Sequence, residues 1–238
     1  MARRLGDIRG ILFDKDGTLT DFRSQWLPAY RAALDLLTGG DEAEIRRLLK
    51  LGGYDPTSDH IDPASPLACG TNLQIVEVWA RGLGMPVTAE LTNRVELVFH
   101  ETASVNARPV TDLRALFSRL KARGIVLGVA TMDSTATARA NIDRFGVADL
   151  VDFTVGADAG HEVKPAPGML LAFCAAMGLT PGAAAMVGDS VVDLMMGRRA
   201  KAGLVVGVAS GVTPRATLAP YADIVLDTVA EIETALGP

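Results

Sequence analysis

Ile8-Arg9-Gly10-Ile11-Leu12-Phe13-Asp14-Lys15-Asp16-Gly17-Thr18-Leu19-Thr20 is the stretch around which the rest of this chain is read. It passes from an apolar run into two carboxylates two positions apart, then into a glycine. The run reads as a strand over residues 8–13, so both acids leave its carboxyl end, where open α/β sheets bind ligands. Neighbouring acids repel each other, and a divalent cation is a common remedy. Gly17 permits a sharp turn and brings backbone N–H groups close to an anion. The same residues also describe an ordinary solvated turn. The remainder of the chain must decide between the two.

Working outward, similar apolar runs recur. Residues 124–130 run into Thr131, residues 183–187 run into Gly188-Asp189, and 204–208 and 224–226 follow. Residues 150–155 are a shorter candidate. Near-continuous apolar runs of this length fit strands covered on both faces. Helical patterns lie between them. Leu113, Leu116, Phe117 and Leu120 form one stripe with Gly124 just beyond it, residues 190–201 read as a helix, and Thr228 with Glu231 fits a capping box. This alternation predicts an α/β protein with a parallel sheet.

One region breaks the alternation. Between residues 21 and 105 only helical patterns occur, at 24–37, 41–49, 71–83 and 88–102, with a stretch rich in Gly and Pro from Gly52 to Gly70. An all-helical insert of residues 21–105 is therefore expected to interrupt an α/β core made of residues 1–20 and 106–238.

Composition narrows the classes. Of 238 residues, 49% are hydrophobic, enough to build a sizeable core and exclude wholesale disorder. Acidic residues outnumber basic ones, 28 to 23, which disfavours nucleic acid as a partner. Cys69 and Cys174 lack metal-ligand spacing and read as small apolar side chains rather than a disulfide framework or zinc site. No apolar run reaches the roughly 18–20 residues of a membrane helix. Arg3, Arg4 and Arg9 precede only Ile11-Leu12-Phe13 before Asp14, too little for a secretory signal. The expectation is a cytoplasmic protein with no membrane partner.

Three later pieces carry chemistry. Thr131 ends its strand with a hydroxyl that can donate to a phosphate oxygen, or simply start a turn. Met132 and Asp133 are similarly placed. In Lys164-Pro165-Ala166-Pro167 the lysine is held out of the helical region as a fixed point charge, and Pro165 or Pro167 can start the next helix. Gly188-Asp189-Ser190-Val191-Val192-Asp193 supplies a third and fourth carboxylate, with Asp193 one helical turn after Asp189. With Asp14 and Asp16 these form an oxygen-rich set suited to Mg²⁺ rather than zinc or copper. Asp189 can equally be the cap of the following helix.

In this order, at the ends of successive strands, Asp14-x-Asp16-Gly17-Thr18, Thr131, Lys164-x-x-Pro167 and Gly188-Asp189-x-x-x-Asp193 resemble the haloacid dehalogenase-like (HAD) hydrolase superfamily. The resemblance covers the whole chain and is closest to members with a type-1 helical cap. It implies a doubly wound, Rossmann-like core with that cap inserted after the first strand. It also implies roles. Asp14 is the nucleophile, forming an aspartyl-phosphate, and Asp16 is the general acid and then the base. Mg²⁺ is held by the Asp14 carboxylate, the backbone carbonyl of Asp16 and Asp189, with Asp193 in support. Thr131 and Lys164 hold phosphoryl oxygens, Lys164 also steadies Asp14, and Met132 borders the phosphate where many relatives carry Asn or Ser.

Asp16 favours phosphate-ester chemistry over dehalogenation or phosphonate hydrolysis. Thr18-Leu19-Thr20 looks closer to phosphoglycolate-phosphatase-like members than to β-phosphoglucomutases. The expected activity is Mg²⁺-dependent hydrolysis of a small phosphorylated metabolite, phosphoglycolate first. A phosphomutase and a non-catalytic binding protein are the alternatives, as monomer or homodimer. Substrate choice is expected in the insert, where Arg23, Gln25, Trp26, His60 and the Gly52-Gly53 loop are candidates. Trp26 and Trp79 read first as core. His100 and His161 read as ordinary surface or structural residues.

Overall fold

The structure, a computed structural model, describes residues 7–237, so Arg3 and Arg4 lie outside the described residues. The chain opens with β1 (Gly10–Asp14), every residue of it buried. There follow α1 (Phe22–Thr38), α2 (Glu42–Gly52), β2 (Tyr54–Asp55), β3 (His60–Ile61), α3 (Pro66–Cys69), α4 (Asn72–Leu83) and α5 (Ala89–Asn106). The alternating part resumes with α6 (Leu113–Ala122), β4 (Val126–Ala130), α7 (Thr135–Arg144), β5 (Phe153–Val155), α8 (Gly168–Met177) and β6 (Ala184–Gly188). It ends with α9 (Val191–Ala200), β7 (Leu204–Val208), α10 (Arg215–Leu218), β8 (Ile224–Leu226) and α11 (Ile232–Leu236). Two compact units result, one from the chain up to Asp21 and from Pro109 onward, the other from Phe22–Arg108.

In the first unit, six parallel strands lie in the order β5-β4-β1-β6-β7-β8. Successive side chains of β1 face opposite ways, as strand geometry requires. Ile11 and Phe13 join Leu116, Phe117, Leu120 and Ile232 on one face, while Leu12 joins Leu170, Phe173, Leu194 and Met196 on the other. Helices cover both faces, which is why the strands read as unbroken apolar runs.

The register places the chemistry. Asp14 pairs with Ala130, and Phe13 pairs with Val187. Because the strands are parallel, the residues just beyond them, Thr131 and Asp189, emerge at the same end of the sheet as Asp14.

In the second unit, α1, α2, α4 and α5 pack around Trp26, Tyr30, Trp79 and Phe99, all buried. Their rings contact one another at 5.4–6.0 Å between centroids. Such pairs add about 0.5–1.5 kcal/mol each beyond burial. Asp41, Thr71 and Thr88 cap α2, α4 and α5 through their side-chain oxygens.

Two local expectations need correction. The insert is not wholly helical, because Tyr54 pairs with Ile61 and Asp55 with His60 in a short antiparallel hairpin. Two residues per strand are too few to show an alternating pattern. The turn is held by Thr57 N–H donating to Asp55 Oδ1 at 2.8 Å. Thr228 supplies no side-chain cap either. A 3-10 turn, Val229–Glu231, begins there, and the Glu231 carboxylate accepts from Asp227 N–H at 3.2 Å instead.

Candidate active site

Asp14 closes β1 and is buried. Beyond it the chain turns tightly, with Leu19 and Thr20 N–H both donating to the Lys15 carbonyl and Gly17 N–H to that of Thr20. Gly17 sits at φ +86°, and a Cβ there would meet Asp189 Oδ2 at 2.5 Å. Only glycine satisfies both conditions.

Lys164 is fully enclosed. Its ammonium donates to Asp14 Oδ1 at 2.5 Å and to the Ala130 carbonyl at 2.8 Å, and lies 2.7 Å from Asp193 Oδ1. The first two contacts are hydrogen bonds, whereas the third is an ion pair that leaves the buried Asp193 Oδ1 without a hydrogen bond. Two of its three hydrogens are thus directed at the protein. Neither Pro165 nor Pro167 lies inside the next helix, since α8 begins at Gly168 with Pro167 as its cap residue.

Asp193 serves two partners. Its Oδ2 accepts from Ser190 N–H at 3.1 Å while Ser190 Oγ accepts from Asp193 N–H, a reciprocal cap for α9. Its Oδ1 faces Lys164. Because Ser190 caps the helix, Asp189 does not have to. The Asp189 Oδ2 instead accepts from Val212 N–H at 3.3 Å. A Cβ at Gly211 would fall 1.7 Å from that oxygen, so this glycine lets the loop close over the carboxylate.

Asp14, Asp189 and Asp193 bring carboxylate oxygens within 4.8 Å of one another, all buried. Three carboxylates face one ammonium. Burial first, then Asp193 and Asp16, push Asp14 up to about 7 against the pull of Lys164. Burial, Asp14 and Asp193 likewise raise Asp189 well above the ordinary carboxylate range. Burial alone would lower Lys164, but Asp14 and Asp193 hold it above its ordinary value. Asp14 Oδ2 is buried without a hydrogen-bond partner. An oxygen-only donor set with excess negative charge and an unpartnered carboxylate oxygen fits a hard cation such as Mg²⁺.

The Asp16 carboxylate is engaged elsewhere. Its Oδ1 accepts from Lys15 Nζ at 2.7 Å and Thr20 Oγ1 at 3.3 Å, and its Oδ2 from Thr131 Oγ1 at 3.3 Å. Thr131 thus meets Asp16 directly, and its hydroxyl also accepts from Asp133 N–H at 3.1 Å. Met132 is half-buried in this turn. Lys15 and Asp133 are fixed parts of the arrangement, although the sequence reading gave them no distinct task. The available signal was a lysine standing at the end of an otherwise apolar strand.

The site lies at the carboxyl ends of β1, β4 and β6, and the haloacid dehalogenase-like hydrolase family model matches residues 8–201. The chain belongs to that family. This hydrolase is 29% identical over 207 residues to the phosphoglycolate phosphatase of Rhodospirillum rubrum, covering 83% of this chain and 78% of that one. It is 30% identical, over an alignment of 246 positions, to the β-phosphoglucomutase of Mycobacterium bovis, covering 94% and 91%. The crystal structure of a predicted phosphoglycolate phosphatase from Haemophilus somnus superposes with a TM-score of 0.72 at 22% identity, covering 95% and 96%. That likeness concerns the fold of the hydrolase alone.

The insert candidates are distributed as follows. Trp26 belongs to the aromatic core, and Arg23 pairs with Asp59 at 2.6 Å. Gln25 is buried with both amide atoms unpartnered, and His60 is exposed. Gly53 ends α2 at φ +107°. Neither Cys69 nor Cys174 is in a disulfide, and the Cys69 thiol donates to the Ser65 carbonyl at 3.4 Å. No helix among the described residues is long and apolar enough to cross a membrane.

Proposed function

We propose that this hydrolase is a Mg²⁺-dependent phosphatase for a small phosphorylated metabolite, with phosphoglycolate the first candidate, working through an aspartyl-phosphate on Asp14. The observation that carries this reading is the asymmetry of Asp14. Lys164 holds Oδ1 at 2.5 Å, while Oδ2 is unpartnered inside a cluster of three carboxylates.

Asp14 attacks phosphorus, and the bond from phosphorus to the leaving oxygen breaks. Asp16 gives its proton to that oxygen, then takes one from the water that hydrolyses the acyl phosphate. Lys164 orients Asp14 and offsets its charge. Thr131, and Met132 through its backbone, border the phosphoryl group. Lys164 can contact that group by exchanging one of its present acceptors. Asp14 and Asp189, with the Asp16 carbonyl, would hold Mg²⁺ and Asp193 would support them. The cation, when bound, neutralises charge on the phosphoryl oxygens, the main requirement of such transfers. The unit Phe22–Arg108 is read as the cap that selects the substrate, and the setting as cytoplasmic.

The mutase reading has one specific support, the 30% identity to a β-phosphoglucomutase. Phosphate release from a panel of phosphorylated metabolites, with Mg²⁺ and with excess chelator, tests both. Mg²⁺-dependent release strongest for phosphoglycolate is expected. Isomerisation of a sugar phosphate without release would transfer the assignment to a mutase. A folded protein that does neither would remove the catalytic reading.

A further inference from the structure

Lys15 stands between the two acids of the first motif, and only 2% of it is exposed. Its Nζ donates to Asp16 Oδ1 at 2.7 Å and to Asp133 Oδ2 at 3.2 Å. Asp133 is itself enclosed and fixed, since its other oxygen accepts from Ser134 N–H at 2.7 Å. Burying an ammonium between carboxylates adds little net stability compared with an all-apolar replacement of the whole group, although removing the lysine alone leaves two carboxylates without their countercharge. What such a pair does supply is direction.

That direction bears on Asp16. One of its oxygens is taken by Lys15 and Thr20, and the other meets only the Thr131 hydroxyl among its described partners. Thr131 follows β4 at the end of the sheet where Asp14 emerges. Holding Oδ1 therefore presents Oδ2 towards the phosphoryl side.

Resting on the phosphatase reading above, we propose that Lys15, anchored by Asp133, is a positioning residue that fixes the Asp16 carboxyl so that Oδ2 hands the proton to the leaving oxygen. Lys15 itself touches neither substrate nor phosphorus. The proton leaves Asp16 Oδ2 for the departing alkoxide as the new bond forms between Asp14 and phosphorus. No other reactant enters.

A positioning role of this kind has a signature that a merely structural role lacks. An alkoxide leaving group needs the proton, and p-nitrophenolate hardly does. The experiment compares kcat/KM for phosphoglycolate and p-nitrophenyl phosphate in the wild-type protein and in Lys15→Met, Lys15→Arg and Asp133→Asn. kcat/KM covers only the steps through phosphoryl transfer to Asp14, so hydrolysis of the intermediate does not enter.

Lys15→Met is expected to lose at least ten-fold more on phosphoglycolate than on p-nitrophenyl phosphate, with the Mg²⁺ midpoint unchanged. Lys15→Arg should recover part of that difference, and Asp133→Asn should show it in weaker form. If Lys15→Met does not fold, Asp133→Asn keeps the lysine and carries the same comparison. Equal losses on both substrates, or none, in an active protein overturn the positioning role alone. A wild-type protein inactive on both substrates overturns the phosphatase reading, and this inference with it.

Discussion

Lys164 Nζ and Asp14 Oδ1 lie 2.5 Å apart although 150 positions separate the two residues in the chain. The pair is buried, and the lysine also faces Asp193 Oδ1 at 2.7 Å. One ammonium thus restrains two carboxylates that would otherwise repel each other. Lys164→Met should leave both without that countercharge and destabilise the metal-free protein by about 3–5 kcal/mol, the usual consequence of breaking a buried pair. Denaturant unfolding in chelator measures it. Mg²⁺ should return part of the loss, because the cation supplies charge to the same oxygens.

Without metal, stability should fall as pH rises. Asp14 is raised to about 7 in the fold, from an ordinary value of 3.8, and Asp189 is raised as well. The fold therefore favours the protonated carboxyl. Its contribution is full below about pH 4 and is lost as pH climbs through about 7. In chelator, Tm should be lower at pH 8 than at pH 5.5, and Asp14→Asn should flatten that slope. Added Mg²⁺ should raise Tm more at pH 8, where fewer protons have to be displaced. An identical slope in wild type and Asp14→Asn would contradict this account.

Gly211 has no room for a side chain, since a Cβ would lie 1.7 Å from Asp189 Oδ2. Gly211→Ala must move either the loop or that carboxylate. Disturbing the support of a metal ligand typically weakens metal binding about 10–100-fold. A Mg²⁺ titration followed by thermal shift, read against the variant's own metal-free Tm, should show this. Unchanged Mg²⁺ affinity would mean that the loop gives way instead of the carboxylate, and unchanged affinity in Asp189→Asn as well would mean that Asp189 is not a ligand.

The two roles proposed for Asp14 and Asp16 separate with an activated donor. Acetyl phosphate needs no proton to release acetate. Asp16→Asn should still take phosphate onto Asp14 from it and then retain it, because the base for hydrolysis is gone. Asp14→Asn should take up none. Intact-protein mass spectrometry reads the phosphorylated fraction. With ordinary phosphate esters, Asp16→Asn should lose about 10²–10⁴-fold in turnover, the usual worth of general acid–base catalysis.

What the sequence determined by itself rests on local patterns. Apolar runs located the six strands of the main sheet, unbroken in the buried strands β1, β4, β6 and β7 and shorter in the part-exposed edge strands β5 and β8. Helical patterns located the long helices of the insert. The carboxylates at strand ends were legible because motif spacing is a property of the chain. The hairpin at Tyr54–Asp55 and His60–Ile61 was not, since two residues per strand carry no period.

Only the tertiary structure decided how those residues divide their work. Ser190 rather than Asp189 caps α9, because the reciprocal bond with Asp193 satisfies the helix end. That leaves Asp189 to join Asp14 and Asp193. Lys15 and Asp133, 118 positions apart, meet at Asp16 because β1 and β4 run parallel and in register. Distances of this kind depend on strand order and register, which packing of the whole sheet selects and no single segment encodes.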